Sequence, residues 1–352
     1  KRKSGISSVE VDGYEFTNFS SIISDSSSTN LEWVNSITED SKGNIWATDQ
    51  QGNVSKYDRY NEVWYNFNPV YKDSIINIPE GRNLLFYPQP RSIIISPDDR
   101  YAYVGIFGFG LIRIDSETGK QKFYEDNFNY VRGFELELAH KMVNEIEWID
   151  EVNILVATGN GVRVFNTEKE VFSKDIFSGK NNESRLWVNN FEKITDSEFY
   201  LSTQKGVLKS NIVEENIEML SETLDITEGN SDLFHNKKNE ELWVNIGNVG
   251  IDIVNLKSNH VTKLRENNSP LLGKSFNNII KDNQDNIWIS SNFAGVLKYD
   301  PNKKKFKPFL RNSPKNMGLG IGVIWGLVFD DDGNIWAGSR EPGGGIVKVD
   351  LK

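Results

Sequence analysis

The chain has 352 residues, of which 50 are acidic and 40 are basic, so its formal charge is −10. This charge argues against broad nucleic-acid binding, because counterion release needs clustered Lys and Arg. There is no cysteine, which excludes disulfide scaffolds, thiol catalysis and cysteine zinc sites. Aromatic residues at 12% indicate a sizeable core, and since no apolar run approaches the ~18 residues of a membrane helix, we expect no membrane insertion by this segment.

The predicted elements are short strands from end to end. An aromatic strand is expected over residues 13–19, followed by seven units with similar strand patterns. The units cover approximately residues 33–67, 91–124, 143–172, 187–220, 230–264, 276–309 and 324–352. Their period-2 alternation favours β-structure over a helical solenoid, which needs a 3.6-residue period.

Three units share a distinct motif before their second strands. The copies are Asp40-Ser-Lys-Gly-Asn-Ile-Trp46, Asp282-Asn-Gln-Asp-Asn-Ile-Trp288 and Asp330-Asp-Asp-Gly-Asn-Ile-Trp336. In this motif Asp is expected to cap a turn through backbone bonds, Gly to take positive φ, and Trp to enter the core between units. Asp330-Asp-Asp-Gly-Asn334 also suggests calcium, but the later bidentate Glu of an EF-hand loop is missing.

The repeat spacing predicts the fold. Equivalent second-strand positions recur every 42–57 residues, at Trp46, Tyr103, Val156, Leu201, Trp243, Trp288 and Trp336. Units of this length with four short strands are typical of propeller blades. The last unit has only three strands, and residues 13–19 supply the fourth. We therefore predict an all-β, single seven-bladed β-propeller whose ring is closed by the N-terminal strand joining the last blade.

The motif resembles the two-component-regulator propeller repeat, approximately Asp-x-x-Gly-x-Leu/Ile-Trp-Ile-Gly-Thr, a Gly loop and a strand ending Tyr-Asp. The units around Trp46, Trp288 and Trp336 match well, and the unit around Trp243 matches partly. Such repeats form periplasmic sensor regions of bacterial hybrid histidine kinases that sense polysaccharide fragments. The resemblance implies one extracytoplasmic sensor propeller, with kinase modules outside this chain.

A more distant resemblance is to the streptogramin lyases, propellers that use paired histidines, a glutamate and magnesium. The histidines of this chain are His140, His235 and His260, and no His-x-Glu or close His pair brings them together. We therefore assign no catalytic residue, no metal ligand and no cofactor. A lyase-like metal-dependent enzyme and a surface protein-interaction scaffold remain the alternatives.

The candidate ligand face is the end of the ring where the turns between second and third strands meet the starts of the first strands. Amides, charges and flat aromatic rings there suit a sugar or peptide ligand, although each residue could also serve packing or a turn. The largest departure from the repeat is Arg340 with Glu341, a pair that could equally form a local salt bridge. The candidate residues are Trp33, Arg91, Phe107, Phe109, Trp187, Asn248, Asn292, Phe293, Trp325, Arg340 and Glu341.

The sequence thus predicts a non-catalytic, extracytoplasmic sensing module of a two-component receptor, located in the periplasm or at the cell surface. Its expected partners are a carbohydrate or other small ligand and either a second propeller or a homodimer partner. The chain begins Lys-Arg-Lys-Ser without Met, which suggests a fragment of a larger protein. The long segments 69–90 and 125–142 interrupt the repeat and are either functional or partner-binding loops or poorly ordered stretches.

Overall fold

A computed structural model describes most of the chain. The described residues are 14–19, 25, 27–67, 75–78, 82–85, 89–124, 142–173, 175–178, 185–227, 232–265, 275–282, 284–292, 295–301, 305–309, 322–340 and 345–351. They form seven four-stranded antiparallel sheets, numbered here as blades 1 to 7 in chain order. The predicted all-β seven-bladed propeller is confirmed.

Each blade is a simple antiparallel meander, except that blade 7 takes its fourth strand from the beginning of the chain. Blade 1 consists of Val34–Glu39, Ile45–Asp49, Val54–Asp58 and Val63–Phe67. Blade 2 consists of Gln89–Ile95, Tyr101–Phe107, Gly110–Asp115 and Gln121–Tyr124. Blade 3 consists of Val143–Trp148, Asn153–Thr158, Gly161–Asn166 and Val171–Phe172. Blade 4 consists of Val188–Lys193, Glu198–Thr203, Gly206–Asn211 and Asn216–Met219.

The remaining blades follow the same plan. Blade 5 consists of Asp232–Asn236, Glu241–Ile246, Gly250–Asn255 and Val261–Leu264. Blade 6 consists of Phe276–Lys281, Ile287–Ser291, Gly295–Asp300 and Lys305–Phe309. Blade 7 consists of Ile324–Phe329, Ile335–Ser339, Ile346–Leu351 and Tyr14–Phe19. Outside the blades, Ile75–Ile78 pairs with Arg82–Leu85 within the first long segment, and Leu220–Thr223 forms one helical turn.

The first strands form the innermost layer of the ring. Each contacts the first strand of the next blade, and the first strand of blade 7 contacts that of blade 1. The second strands are buried over all but their end residues, and Ile45–Asp49 and Ile335–Ser339 are buried throughout, because each blade is covered on both faces by its neighbours. This arrangement places the core between blades and leaves a central channel lined by first strands.

The Asp-to-Trp motif forms a buried clasp in blades 1, 6 and 7. In blade 6, Asp282 Oδ1 accepts the backbone N–H of Asn286 at 2.8 Å, while Oδ2 accepts the Asn286 amide at 2.8 Å and the Trp288 indole N–H at 2.9 Å. The predicted turn is therefore present, and the motif also fixes the indole. Gly43 and Gly333 have φ of +77° and +81°, and Asp285 takes the same conformation at +66°. Each Trp packs against the following blade, as Trp46 does against Ile93 and Val104.

Ring closure by the N-terminal strand is also confirmed. Residues Tyr14 to Phe19 pair in register with Leu351 to Ile346, which completes blade 7. The ring of Phe19 stacks on Trp336 of blade 7 at 5.4 Å and meets Tyr57 of blade 1 at 5.0 Å. The closing strand thus contributes packing at the junction of the last and first blades as well as hydrogen bonds.

Phe19→Ala should therefore destabilise the ring at its closure. Truncating a partly buried aromatic that spans two blades is expected to cost about 2–3 kcal/mol. Urea unfolding followed by tryptophan fluorescence would measure the loss. Thr17→Ala is the matched control, because Thr17 lies on the same strand with an exposed side chain and should change the stability by under about 0.5 kcal/mol. Equal losses in the two variants would contradict the packing role of Phe19.

Candidate functional site

A β-bulge recurs near the start of the first strand in six of the seven blades. The register shifts at Val34/Ser36, Pro90/Ser92, Val143/Glu145, Val188/Asn190, Phe276/Ile279 and Ile324/Gly326. A bulge leaves a residue outside the ladder and re-aims its side chain. The bypassed residues that line the channel at this end form what we call the bulge ring, which comprises Asn35, Arg91, Asn144, Asn189, Asn277 and Trp325.

Asparagines of the bulge ring connect neighbouring blades. The side-chain N–H groups donate to the backbone of the next blade, from Asn35 to the Pro90 carbonyl and from Asn144 to the Val188 carbonyl, each at 2.8 Å. Asn277 makes the same bond to the Ile324 carbonyl at 2.6 Å. Because these bonds fix the orientation of each amide, the remaining carbonyl oxygens hold a defined arrangement around the channel.

The bulge ring surrounds a cavity of about 380 Å³. Four buried side-chain oxygens of residues that line it accept no hydrogen bond: Asn35 Oδ1, Asn190 Oδ1, Asn278 Oδ1 and Asp232 Oδ2. Burying a polar atom without a partner costs about 1–3 kcal/mol, so such groups are normally satisfied in a functioning protein. Residues that line the cavity thus carry acceptor capacity that the described hydrogen bonds do not use.

Two arginines and their aromatic supports lie at the same end. The Arg91 guanidinium lies 4.0 Å from the ring centroid of Phe107, and the Arg340 guanidinium lies 3.8 Å from that of Trp325. Arg91 Nη1 donates to Asn144 Oδ1 at 2.8 Å, and Arg340 Nε donates to Gln50 Oε1 at 2.9 Å. Both guanidinium groups are therefore held in place by neutral neighbours.

The positive charge of Arg340 also acts on Arg91. Burial and the positive charge of Arg340 lower the pKa of Arg91 to about 10, and burial lowers the pKa of Arg340. Within the described part of the chain, neither guanidinium forms an ion pair with a carboxylate. This end of the channel consequently brings together two guanidinium groups that no described carboxylate pairs directly, although the carboxyl groups of Glu145 and Asp232 line the same cavity.

Further along the channel, carboxylates from blades 3, 4 and 5 share a second cavity of about 480 Å³. Burial raises the pKa of Glu145 to about 7 and of Glu192 to about 8, and repulsion from Glu147 adds to both shifts. Burial, followed by repulsion from Glu192 and Glu145, also raises the pKa of Asp232. Although these side chains keep some surface open to the channel, the blades enclose them, which makes the ionised forms unfavourable.

The structure brings part of the predicted candidate set together. Arg91, Trp325 and Arg340 line the 380 Å³ cavity. Phe107 lies under Arg91, and its ring is 6.1 Å from that of Trp187. These five residues form a continuous group at the mouth of the channel.

Other candidates have different surroundings. Trp33 bridges to Arg340 through the backbone, Asn292 bonds to Ser275 and Asn277 at the start of blade 6, and Phe109 is buried in the core between blades 1 and 2. Asn248 is exposed in a turn and does not line the cavity. Phe293 and Glu341 lie outside the described residues.

The amides and carboxylates of the first strands were missed by sequence reasoning. Their signal is a pattern of one apolar residue, one polar residue, any residue and another apolar residue, as in Val34-Asn-Ser-Ile37 and Val143-Asn-Glu-Ile146. The pattern departs from strict alternation at the second residue, where the bulge lies. Aligning first strands instead of second strands would have identified most of the bulge ring.

The described histidines lie apart from this mouth. His235 is on the first strand of blade 5, where its ring meets Tyr200 edge-on at 5.2 Å, and His260 is exposed in the turn before the fourth strand of that blade. His140 lies outside the described residues. Across the part of the chain that the structure describes, no group of three or more His, Asp or Glu side chains is placed to hold a metal ion.

The geometry defines the chain as a seven-bladed propeller with a polar channel whose mouth offers hydrogen-bond acceptors, aromatic rings and arginines. No protein-family model and no curated protein matches the chain. In the described portion, no helix has both the length and the apolar character needed to cross a lipid bilayer.

Solved structures with a similar fold include extracellular domains of two-component systems and a lyase. One is the extracellular domain of the hybrid two-component system BT3049 from B. thetaiotaomicron, with a TM-score of 0.67 and 16% identity. The similarity covers 92% of this chain and 40% of that one, so this chain spans about two fifths of its length. The extracellular domain of BT4673 from the same organism has a TM-score of 0.66 and 14% identity, and the similarity covers 95% of this chain and 39% of that one. Streptogramin B lyase has a TM-score of 0.64 and 13% identity, and the similarity covers 96% of this chain and 97% of the lyase. At such identities the likeness shows the fold.

Proposed function

We propose that this chain is a non-catalytic, extracytoplasmic sensor propeller of a two-component receptor, and that it binds a carbohydrate fragment at the mouth of its channel. The observation that carries the proposal is that four residues lining the 380 Å³ cavity each have a side-chain oxygen without a hydrogen-bond partner. Sugar hydroxyls are donors of the required kind, and the rings of Trp325 and Trp187 can cover the apolar faces of a sugar. The similarity to extracellular domains of two-component systems supports the same proposal.

A second propeller or a second copy of the chain would be the output partner. The extracellular domains compared above are more than twice the length covered by this chain, which is consistent with further modules beside a propeller of this kind. Ligand binding would shift the equilibrium between two packing arrangements of such modules. The free energy of that shift can be no larger than the difference in the ligand's binding free energy for the two arrangements.

A non-catalytic role is favoured over lyase chemistry by the described side chains of the channel. A general base needs a reacting proton within reach and an orienting partner, and His235 and His260 occupy separate elements of blade 5. Fold similarity to streptogramin B lyase is the reason to include that reaction in any activity screen.

A thermal-shift screen against a panel of oligosaccharides tests the proposal. A sugar present at a hundred times its Kd should stabilise the fold by about 2.7 kcal/mol and so raise Tm measurably. Asn190→Ala and Trp325→Ala should weaken that sugar at least tenfold in calorimetric titrations, since they remove an acceptor and a stacking surface. Asn248→Ala is the control, because Asn248 is an exposed amide away from the cavity. If no sugar raises Tm, or if Asn248→Ala weakens binding as strongly, the proposed site is wrong.

A further inference from the structure

The proposed function leaves open which class of carbohydrate the mouth selects, and the two arginines bear on that question. Arg91 follows Pro90 in the first strand of blade 2, and Arg340 follows the second strand of blade 7. Blade 1 lies between these blades, and both side chains line the same cavity. Two cations from non-adjacent blades thus converge on one space.

Their supports are neutral. Phe107 and Trp325 present ring faces to the guanidinium groups, and Asn144 and Gln50 accept one N–H bond from each. Among the described residues these are the only side-chain hydrogen bonds of Arg91 and Arg340. The other N–H donors of both guanidinium groups are available to the cavity.

Two arginines that share a cavity without an ion-pair partner among the described residues are costly, because burial disfavours both charges and the charge of Arg340 repels that of Arg91. By contrast, Arg113 is paired with Glu170 at 2.9 Å and Arg265 with Asp252 at 2.6 Å. Like charges that share a partly buried space repel, and an anion between them removes the repulsion and satisfies the free donors. The planar guanidinium fork matches a carboxylate or a sulfate through paired N–H bonds.

On this basis, and resting on the proposed function, we propose that the ligand is an acidic sugar whose carboxylate or sulfate group is bound between Arg91 and Arg340. The neutral hydroxyls of the same sugar meet the amide side chains of Asn35, Asn190 and Asn278, which line the same cavity. The site thus combines an anion-binding part and a hydroxyl-binding part.

A matched pair of disaccharides isolates the acidic group. Cellobiouronate and cellobiose differ in one carboxylate, and sodium sulfate provides the anion alone. Titration calorimetry should show that cellobiouronate binds at least tenfold more tightly than cellobiose, and that its affinity falls as NaCl is added. Sulfate should raise Tm and compete with cellobiouronate.

Variants assign the effect to the two arginines. Arg91→Gln and Arg340→Gln should each weaken cellobiouronate about tenfold to a hundredfold while changing cellobiose affinity less than threefold. Arg340→Lys keeps the charge without the fork and should fall between wild type and Arg340→Gln. Arg100→Gln is the control, because Arg100 also lies over an aromatic ring, that of Tyr101, but outside the channel. Circular dichroism and the Tm without ligand establish that each variant is folded.

The outcomes separate this inference from the proposed function. Equal binding of cellobiose and cellobiouronate, unaffected by either Gln variant, overturns the anion site and leaves a neutral-sugar sensor. Competition by sulfate that persists unchanged in both Gln variants likewise overturns it. Anion binding that depends on both arginines, with no sugar of any kind binding more tightly than sulfate, supports the anion site and contradicts the carbohydrate proposal.

Discussion

Asp282→Ala is expected to reduce the free energy of unfolding by about 3–4 kcal/mol. The substitution removes the acceptor of the Asn286 backbone N–H, the Asn286 amide and the Trp288 indole N–H together, inside a buried turn. Each stranded donor costs about 1–3 kcal/mol, and partial relaxation of the turn keeps the total below the sum. Chemical denaturation monitored by tryptophan fluorescence measures the loss.

Asp150→Ala is the matched control for this clasp. Asp150 occupies the equivalent turn of blade 3 and accepts the backbone N–H and the side-chain amide of Asn153, each at 2.8 Å. That turn is exposed and has no indole partner, so water replaces the lost acceptor and we expect a cost under about 1.5 kcal/mol. If the two alanine variants lose the same stability, the indole bond and burial of the clasp contribute nothing.

The second large effect is a loss of stability as the pH rises from about 5.5 to 8.5. The pKa of Glu145 is raised to about 7 and that of Glu192 to about 8, whereas both groups ionise near their ordinary values in the unfolded chain. Between those values the folded state binds more protons than the unfolded state, so the free energy of unfolding falls as the pH increases. The stabilisation is fully present below about pH 4.5 and disappears as the pH passes the raised pKa values.

Glu192→Gln should flatten this dependence. The variant keeps a polar side chain but cannot ionise. At pH 8.5 we expect it to be more stable than wild type by about 2–3 kcal/mol, because one pKa unit corresponds to about 1.4 kcal/mol. Solvent in the channel screens part of the cost of ionising Glu192 in the wild type. The groups that act on Glu192 include Glu147, Glu145 and Lys237, with the His235 backbone N–H as a donor. Urea unfolding at pH 5.5 and 8.5 measures the change.

Glu168→Gln is the control for the pH experiment. Glu168 is exposed in the turn between the third and fourth strands of blade 3, whereas the channel is lined by first strands. The neutral variant should follow the wild-type pH profile within about 0.5 kcal/mol. A Glu192→Gln profile that also follows wild type would show that this carboxylate ionises normally in the folded protein.

Two overlapping stretches of the channel wall differ in the side chains that they gather. The mouth gathers arginines and amides on bulges, while the stretch lined by blades 3 to 5 gathers carboxylates that resist ionisation. A ligand that enters the mouth changes the field at Glu145 and Asp232, since both residues also line the mouth cavity. Proton uptake or release on binding is the expected consequence.

Most of the fold followed from local sequence patterns. The Asp-to-Trp motif and the spacing of the second strands predicted seven blades because both depend on contacts within a few residues along the chain. The missing strand of blade 7 was also predictable, since a ring with an unpaired edge exposes backbone donors and acceptors. The 75–78 and 82–85 ribbon was not predicted, because neither stretch belongs to the repeat that guided the prediction.

The candidate site was less accessible to this reasoning. Arg340 and Trp325 stood out because they break the repeat, and both line the cavity. The bulge ring did not stand out, because a bypassed Asn such as Asn144 reads as an ordinary polar position in an alternating strand. Phe109, by contrast, was predicted to line the ligand face but is buried in the core between blades 1 and 2. An aromatic ring in a turn between strands can therefore serve packing between blades instead of the channel.

The sequence by itself determined that this protein is a closed ring of seven blades, because repeated turn chemistry and period-2 alternation act over a few residues and need no distant partner. Only the tertiary structure decided what the channel presents. Asn35, Arg91, Asn144 and Trp325 come from four blades, and Arg340 lines the same cavity as Arg91 although blade 1 lies between their blades. Their convergence depends on ring closure and on bulges that rotate single side chains inward, and neither is encoded by the distance between residues along the chain.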